Sequence, residues 1–137
     1  MKKLLVILSL IPYLALAQTS DEHLKKANEL SAQKNYTAAI PEFTKAIELN
    51  GHNVKAYLYR GNAYSNSKQY GEAVEDYSKV VTIDPGNADA FYYRANAEAN
   101  AKAYKAAIDD YTKAIELGLR TADRYHYRAN ARVNSND

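Results

Sequence analysis

The chain has 137 residues, no cysteine and a formal net charge of +2. Both excess charges are Lys2 and Lys3; the remainder balances at 16 basic and 16 acidic residues, which removes the bulk attraction that nucleic acid demands. No disulfide framework exists, so the fold must hold by packing alone.

In chain order, Lys2-Lys3 is a positive n-region, Leu4 to Ala17 is apolar apart from Pro12, and Ala15-Leu16-Ala17 is a small-x-small cleavage site. The apolar run is shorter than the roughly 20 residues of a spanning helix. Residues 1–17 therefore read as a secretory signal peptide with cleavage before Gln18. No cysteine follows to carry a lipid, so no membrane insertion is expected after cleavage. The expectation is an exported protein, periplasmic or secreted, whose single domain is 18–137.

From residue 20 the chain repeats itself. Segments 20–53, 54–87 and 88–121 align without a gap, and a partial fourth copy begins at Ala122. The block Tyr-Arg-Gly/Ala-Asn falls at 59–62, 93–96 and 127–130, always 34 residues apart. Apolar residues three and four apart place first helices over 21–33, 54–67, 88–101 and 122–133, and second helices over 37–49, 71–83 and 105–117. Gly51, Pro85-Gly86 and Gly118 stand where second helices stop. Pro41 lies near the start of one, where a local distortion rather than a break is expected.

These residues resemble the tetratricopeptide repeat, whose signature is W-x2-L-G-x2-Y, then A-x3-F, then P. The second copy matches best, with Tyr57, Gly61, Tyr64, Ala73, Tyr77 and Pro85, and with Arg60 in place of leucine. The third carries Phe91, Ala95, Ala107 and Tyr111, with Leu119 for the proline; the first carries His23, Ala27, Leu30, Ala39 and Phe43. The resemblance covers residues 20–133. It implies an all-α, right-handed α-solenoid of three repeats plus a capping helix at 122–133, where Arg124, Arg128 and Arg132 give the polar outer face that a terminal element needs. Gly61 and Ala95 are expected opposite Ala73 and Ala107, where helices approach closely.

Arg60, Arg94 and Arg128, with Lys26 in the first copy, fall on the inward face, where a lone charge is costly. The acids Glu42, Asp76 and Asp110 sit at matching places on second helices. Pairs within a copy would be Lys26–Glu42, Arg60–Asp76 and Arg94–Asp110. Pairs between copies would be Arg60–Glu42, Arg94–Asp76 and Arg128–Asp110. The second scheme is preferred, because it serves every arginine and leaves over only a lysine, which reaches water easily.

Asn28, Asn62, Asn96 and Asn130 form a ladder opposite the core face. Helical angles set Lys55, Tyr59 and Asn66 beside it in the second copy, Tyr92, Tyr93 and Asn100 in the third, and Tyr127 in the fourth. The resemblance implies that stacked first helices line a concave groove holding an extended peptide or partner helix, and these eleven residues are the candidate binding set. An asparagine amide both donates and accepts, so it can grip a peptide backbone of any sequence. Of the clamp for acidic chaperone tails only Asn28 and Asn62 fit; Leu24, Tyr59, Asp89 and Tyr93 stand where that clamp wants polar or basic groups.

His23, His52 and His126 show no metal-ligand spacing, and no nucleophile elbow or phosphate loop is present. The expected function is therefore a non-catalytic protein-binding adaptor with no cofactor and no metal. The competing reading is a self-associating repeat module of an envelope assembly, that is, a homo-oligomer.

Overall fold

The computed structural model describes residues 19–135; the segment 1–17, expected to be a signal peptide, lies outside the described residues. Seven helices and no strand appear among the described residues. The first, α1, runs to residue 32. It is followed by α2 (Tyr36–Leu49), α3 (Val54–Asn66), α4 (Tyr70–Ile83), α5 (Ala88–Asn100), α6 (Tyr104–Glu116) and α7 (Ala122–Ser135). These bounds fall within one or two residues of those read from the 34-residue period. None of these helices is long and apolar enough to cross a membrane.

Local chemistry sets the ends. The side chains of Asn35, Asn53 and Asn87 cap α2, α3 and α5, accepting from the amides of Ala38, Ala56 and Ala90. The first helices α1, α3 and α5 each close on a lysine in the left-handed region: Lys34, Lys68 and Lys102, with φ of 60, 62 and 64°. The amide after each lysine reaches back to the last turn, as Gln69 N–H does to Tyr64 C=O at 2.9 Å. A lysine here costs about 1–2 kcal/mol against glycine, and the period repeats that cost three times. Gly118, with φ of 109°, stops α6. Pro41 sits inside α2, which continues through it unbroken.

Consecutive helices pack on one another, and first helices α3 and α5 also touch. Alanines make the seams: Ala27, Ala39, Ala46, Ala56, Ala73, Ala90, Ala95 and Ala107 have no exposed surface. One large aromatic per repeat, Phe43, Tyr77 or Tyr111, fills the space that the alanines leave. The result is a helical solenoid of the tetratricopeptide-repeat type.

Candidate functional site

The repeated block resolves into four separate contacts. Its tyrosine packs on the aromatic of the preceding second helix: Tyr59 on Phe43, Tyr93 on Tyr77 and Tyr127 on Tyr111, with ring centroids 6.4, 6.0 and 6.4 Å apart. Its small residue makes room for the aromatic of its own repeat. A Cβ on Gly61 would lie 2.7 Å from Cε1 of Tyr77, so the partner that dictates glycine is this ring and not Ala73. Its asparagine accepts from that ring's hydroxyl, Tyr77 to Asn62 Oδ1 and Tyr111 to Asn96 Oδ1, each at 2.7 Å. Burial pushes both phenols well above their ordinary value, so they remain protonated donors.

The arginine overturns the preferred pairing. Arg60 donates through Nε and Nη2 to both oxygens of Asp76, at 2.8 and 2.7 Å, and Arg94 does the same to Asp110. Lys26 takes Glu42 at 2.9 Å. The ion pairs are therefore within a copy, and Arg128 meets no carboxylate among the described residues. What crosses to the preceding copy is a hydroxyl: Arg60 Nη1 donates to Thr44, Arg94 Nη1 to Ser78, and Arg128 Nη1, at 3.5 Å, to Thr112. Each hydroxyl in turn donates to the carbonyl four residues back on its own helix. The physical reason lies in helical angle. Glu42 and Thr44 are two residues apart, about 200° around α2, so one looks back to α1 and the other forward to α3.

Four of the candidate residues gather around one hollow. Asn28, Tyr59, Asn62 and Asn66 line a space of about 290 Å3 between α1 and α3, floored by Tyr36 and Phe43. Asn62 spends its carbonyl on Tyr77, and its amide nitrogen has no partner within the described residues. Asn66 and Asn100 donate to the carbonyls of Asn62 and Asn96 one turn back. Lys55 is exposed at the start of α3 and does not line the hollow.

The candidate tyrosines of α5 and α7 cluster together. Tyr92 touches Tyr93, Tyr111 and Tyr127, at 5.6, 6.0 and 6.1 Å between centroids. Tyr92 is only 9 % exposed, with the Arg124 guanidinium 4.1 Å above its ring, so it underlies the surface rather than forming it. Tyr127, 44 % exposed, presents its own ring, and Asn130 is held by His126 at 3.0 Å.

Two carboxyls show what burial and partners do. Bonds from Lys26 and then His23 hold Glu42 down at about 2. Its ion pairs add stability above about pH 4.5, lost as the pH falls through about 2. Glu98, which the sequence did not single out, is pushed up to about 7, first by burial and then by Asp110. One of its oxygens is buried without a hydrogen-bond partner. A raised carboxyl favours the fold below its ordinary 4.5 and loses that contribution as pH rises through about 7. Melting temperature is therefore expected to fall between pH 5 and 8, and Glu98→Gln to gain about 1–2 kcal/mol at pH 8 and flatten that fall. Parallel melting curves for wild type and variant across that range would contradict this.

Among the described residues no three His, Cys, Asp or Glu side chains gather as metal ligands.

Models of the tetratricopeptide repeat match residues 23–53 and 54–87. No curated protein matches by sequence. Among solved structures, the Arabidopsis OM64 tetratricopeptide-repeat domain superposes with a TM-score of 0.81 at 26 % identity, over 86 % of this chain and 98 % of that one. The corresponding domain of Sgt2 from Aspergillus fumigatus gives 0.77 at 26 % identity, over 85 % and 79 %. The second such domain of human RPAP3, in complex with the HSP70 peptide SGPTIEEVD, gives 0.77 at 20 % identity, over 86 % and 96 %.

Proposed function

We propose that this solenoid of tetratricopeptide repeats is a non-catalytic adaptor that holds an extended segment of a partner protein along its first helices. The observation that carries the reading is the hollow between α1 and α3. It offers the unspent amide nitrogen of Asn62, the amide of Asn28, the side-chain oxygen of Asn66, whose nitrogen is held by the Asn62 backbone carbonyl, and the flat face of Tyr59, which is 37 % exposed. A peptide backbone needs donors, acceptors and apolar area at about this scale, and each added hydrogen bond contributes about 0.5–1.5 kcal/mol net. Support by likeness comes from the human RPAP3 domain, which has this fold and is in complex with a peptide. That peptide is acidic, whereas Tyr59, Asp89 and Tyr93 here favour a segment that is neither strongly acidic nor a charged C-terminus.

Export is part of the proposal. It rests on Lys2-Lys3, the apolar run to Ala17 and the small residues before Gln18. The partner is then an exported or envelope protein.

Partners recovered from the exported fraction should fall at least severalfold with Tyr59→Ala/Asn66→Ala. That pair avoids the Tyr77–Asn62 bond that supports the fold. Equal recovery would overturn the groove assignment, and a stable homo-oligomer in light scattering would favour the self-associating module instead.

A further inference from the structure

The hollow between α1 and α3 lies where the first copy departs from the other two at two positions. Phe43 stands where they have Tyr77 and Tyr111, and Ala32 stands where they have Asn66 and Asn100. Tyr77 and Tyr111 spend their hydroxyls on Asn62 and Asn96, and Asn66 and Asn100 bond the carbonyl one turn back. The first copy has neither group, so the hollow is wider on that side by a hydroxyl and a carboxamide. Asn28 therefore keeps its whole amide free among the described residues. Ser31 Oγ, on the same wall, is buried without a hydrogen-bond partner. Described helices form both walls, so a further helix stacked beyond α1 or α7 would not close the space.

The opposite wall has fixed polarity. The Tyr77 hydroxyl holds the Asn62 oxygen, which leaves the Asn62 nitrogen to the hollow as a donor. The Asn62 backbone carbonyl holds the Asn66 nitrogen, which leaves the Asn66 oxygen as an acceptor. One donor and one acceptor thus stand a helical turn apart on α3. Neither amide can turn over without breaking the bond that orients it. Beneath them lie the rings of Phe43 and Tyr59.

We propose that this hollow reads a glutamine side chain of the partner segment. The inference rests on the groove reading and names what that groove selects at its first pocket. A primary carboxamide accepts through its oxygen and donates through its nitrogen, so it answers Asn62 and Asn66 together. Its two methylenes lie on the rings, and Asn28 and Ser31 meet the remaining lone pair and proton from α1. Glutamate has the same shape but turns a charged oxygen toward the Asn66 oxygen. An aliphatic chain leaves Ser31 and the asparagines without partners in a space it has dried.

The probe is a set of blocked nonapeptide libraries with random flanks and a central glutamine, glutamate or methionine. They are bound to the full chain and, in parallel, to residues 18–137. Enrichment is expected from the glutamine library. Replacing that glutamine by glutamate or methionine in the tightest peptide should weaken binding roughly tenfold. Asn62→Asp keeps an oxygen for the Tyr77 hydroxyl and turns the free donor into an acceptor. It should fold as wild type does by circular dichroism and lose the preference for glutamine over methionine; Ser31→Ala should narrow the same preference. Propionamide, the glutamine side chain cut free, should shift the side-chain amide signals of Asn62 and Asn66 saturably at millimolar concentration, and propionate should not. Peptides that bind around Asn28, Tyr59 and Asn66 with equal affinity for all three central residues would overturn this inference and leave the groove reading standing. No peptide binding at all would overturn both. Binding to residues 18–137 but not to the full chain would also overturn it, since the hollow would then be filled from within the chain.

Discussion

Arg60→Met is expected to lower folding stability by about 3–5 kcal/mol, because it leaves the buried Asp76 carboxyl without its partner. Asp76 is 3 % exposed, and its two oxygens are both held by that guanidinium. The same change frees Thr44 from its link to the next repeat, so it loosens both α3–α4 and α2–α3. A domain of this size is stable by only about 5–15 kcal/mol, which makes the loss a large share of the total. Lys26→Met should cost about 0–1 kcal/mol, since Lys26 is 63 % exposed and Glu42 keeps His23 at 2.6 Å. Arg60→Met/Asp76→Leu should regain most of the loss, because an apolar pair needs no counter-charge. Urea denaturation of the four proteins checks this. An Arg60→Met midpoint close to wild type would mean that the buried pair contributes nothing.

The second large effect is at Gly61. Its Cβ position lies 2.7 to 3.1 Å from three atoms of the Tyr77 ring. That ring cannot swing aside cheaply. It is 1 % exposed, tied by its hydroxyl to Asn62 and covered by Tyr93. Gly61→Leu should therefore cost about 3 kcal/mol or more through overpacking. Gly61→Ala should be milder, about 0–1 kcal/mol, because the helix gains roughly 1 kcal/mol of propensity against the same clash. The third repeat shows that the register can take it: Ala95 sits beside Tyr111 with no exposed surface. Equal melting of the leucine and alanine variants would contradict the fixed-ring account.

The helices and their order were legible in the sequence because the 34-residue period aligns every apolar stripe and every stop at once. The arginine ladder was legible only in part. Its residue types and acidic partners were visible, yet Glu42 and Asp76 stand 18 and 16 residues from Arg60, and spacing alone does not choose. The deciding signal was the hydroxyl two residues after each acid, at Thr44, Ser78 and Thr112. It recurs with the same period and lies on the opposite side of its helix. The asparagines were read as facing outward, which holds for Asn28 and for the Asn62 nitrogen. The Asn62 and Asn96 oxygens turn inward, because a tyrosine hydroxyl across the helix pair needs an acceptor. Glu98 escaped notice because its counterparts, Leu30, Tyr64 and Arg132, share no chemistry with it.

The central claim is that the α1–α3 hollow holds an extended peptide. The most direct measurement selects peptides from a random library against residues 18–137 and maps the tightest by amide chemical shifts. The account predicts shifts around Asn28, Tyr59, Asn62 and Asn66, together with loss of most of the affinity in Tyr59→Ala/Asn66→Ala. Shifts confined to the second helices α2, α4 and α6, with affinity unchanged in that variant, would contradict it.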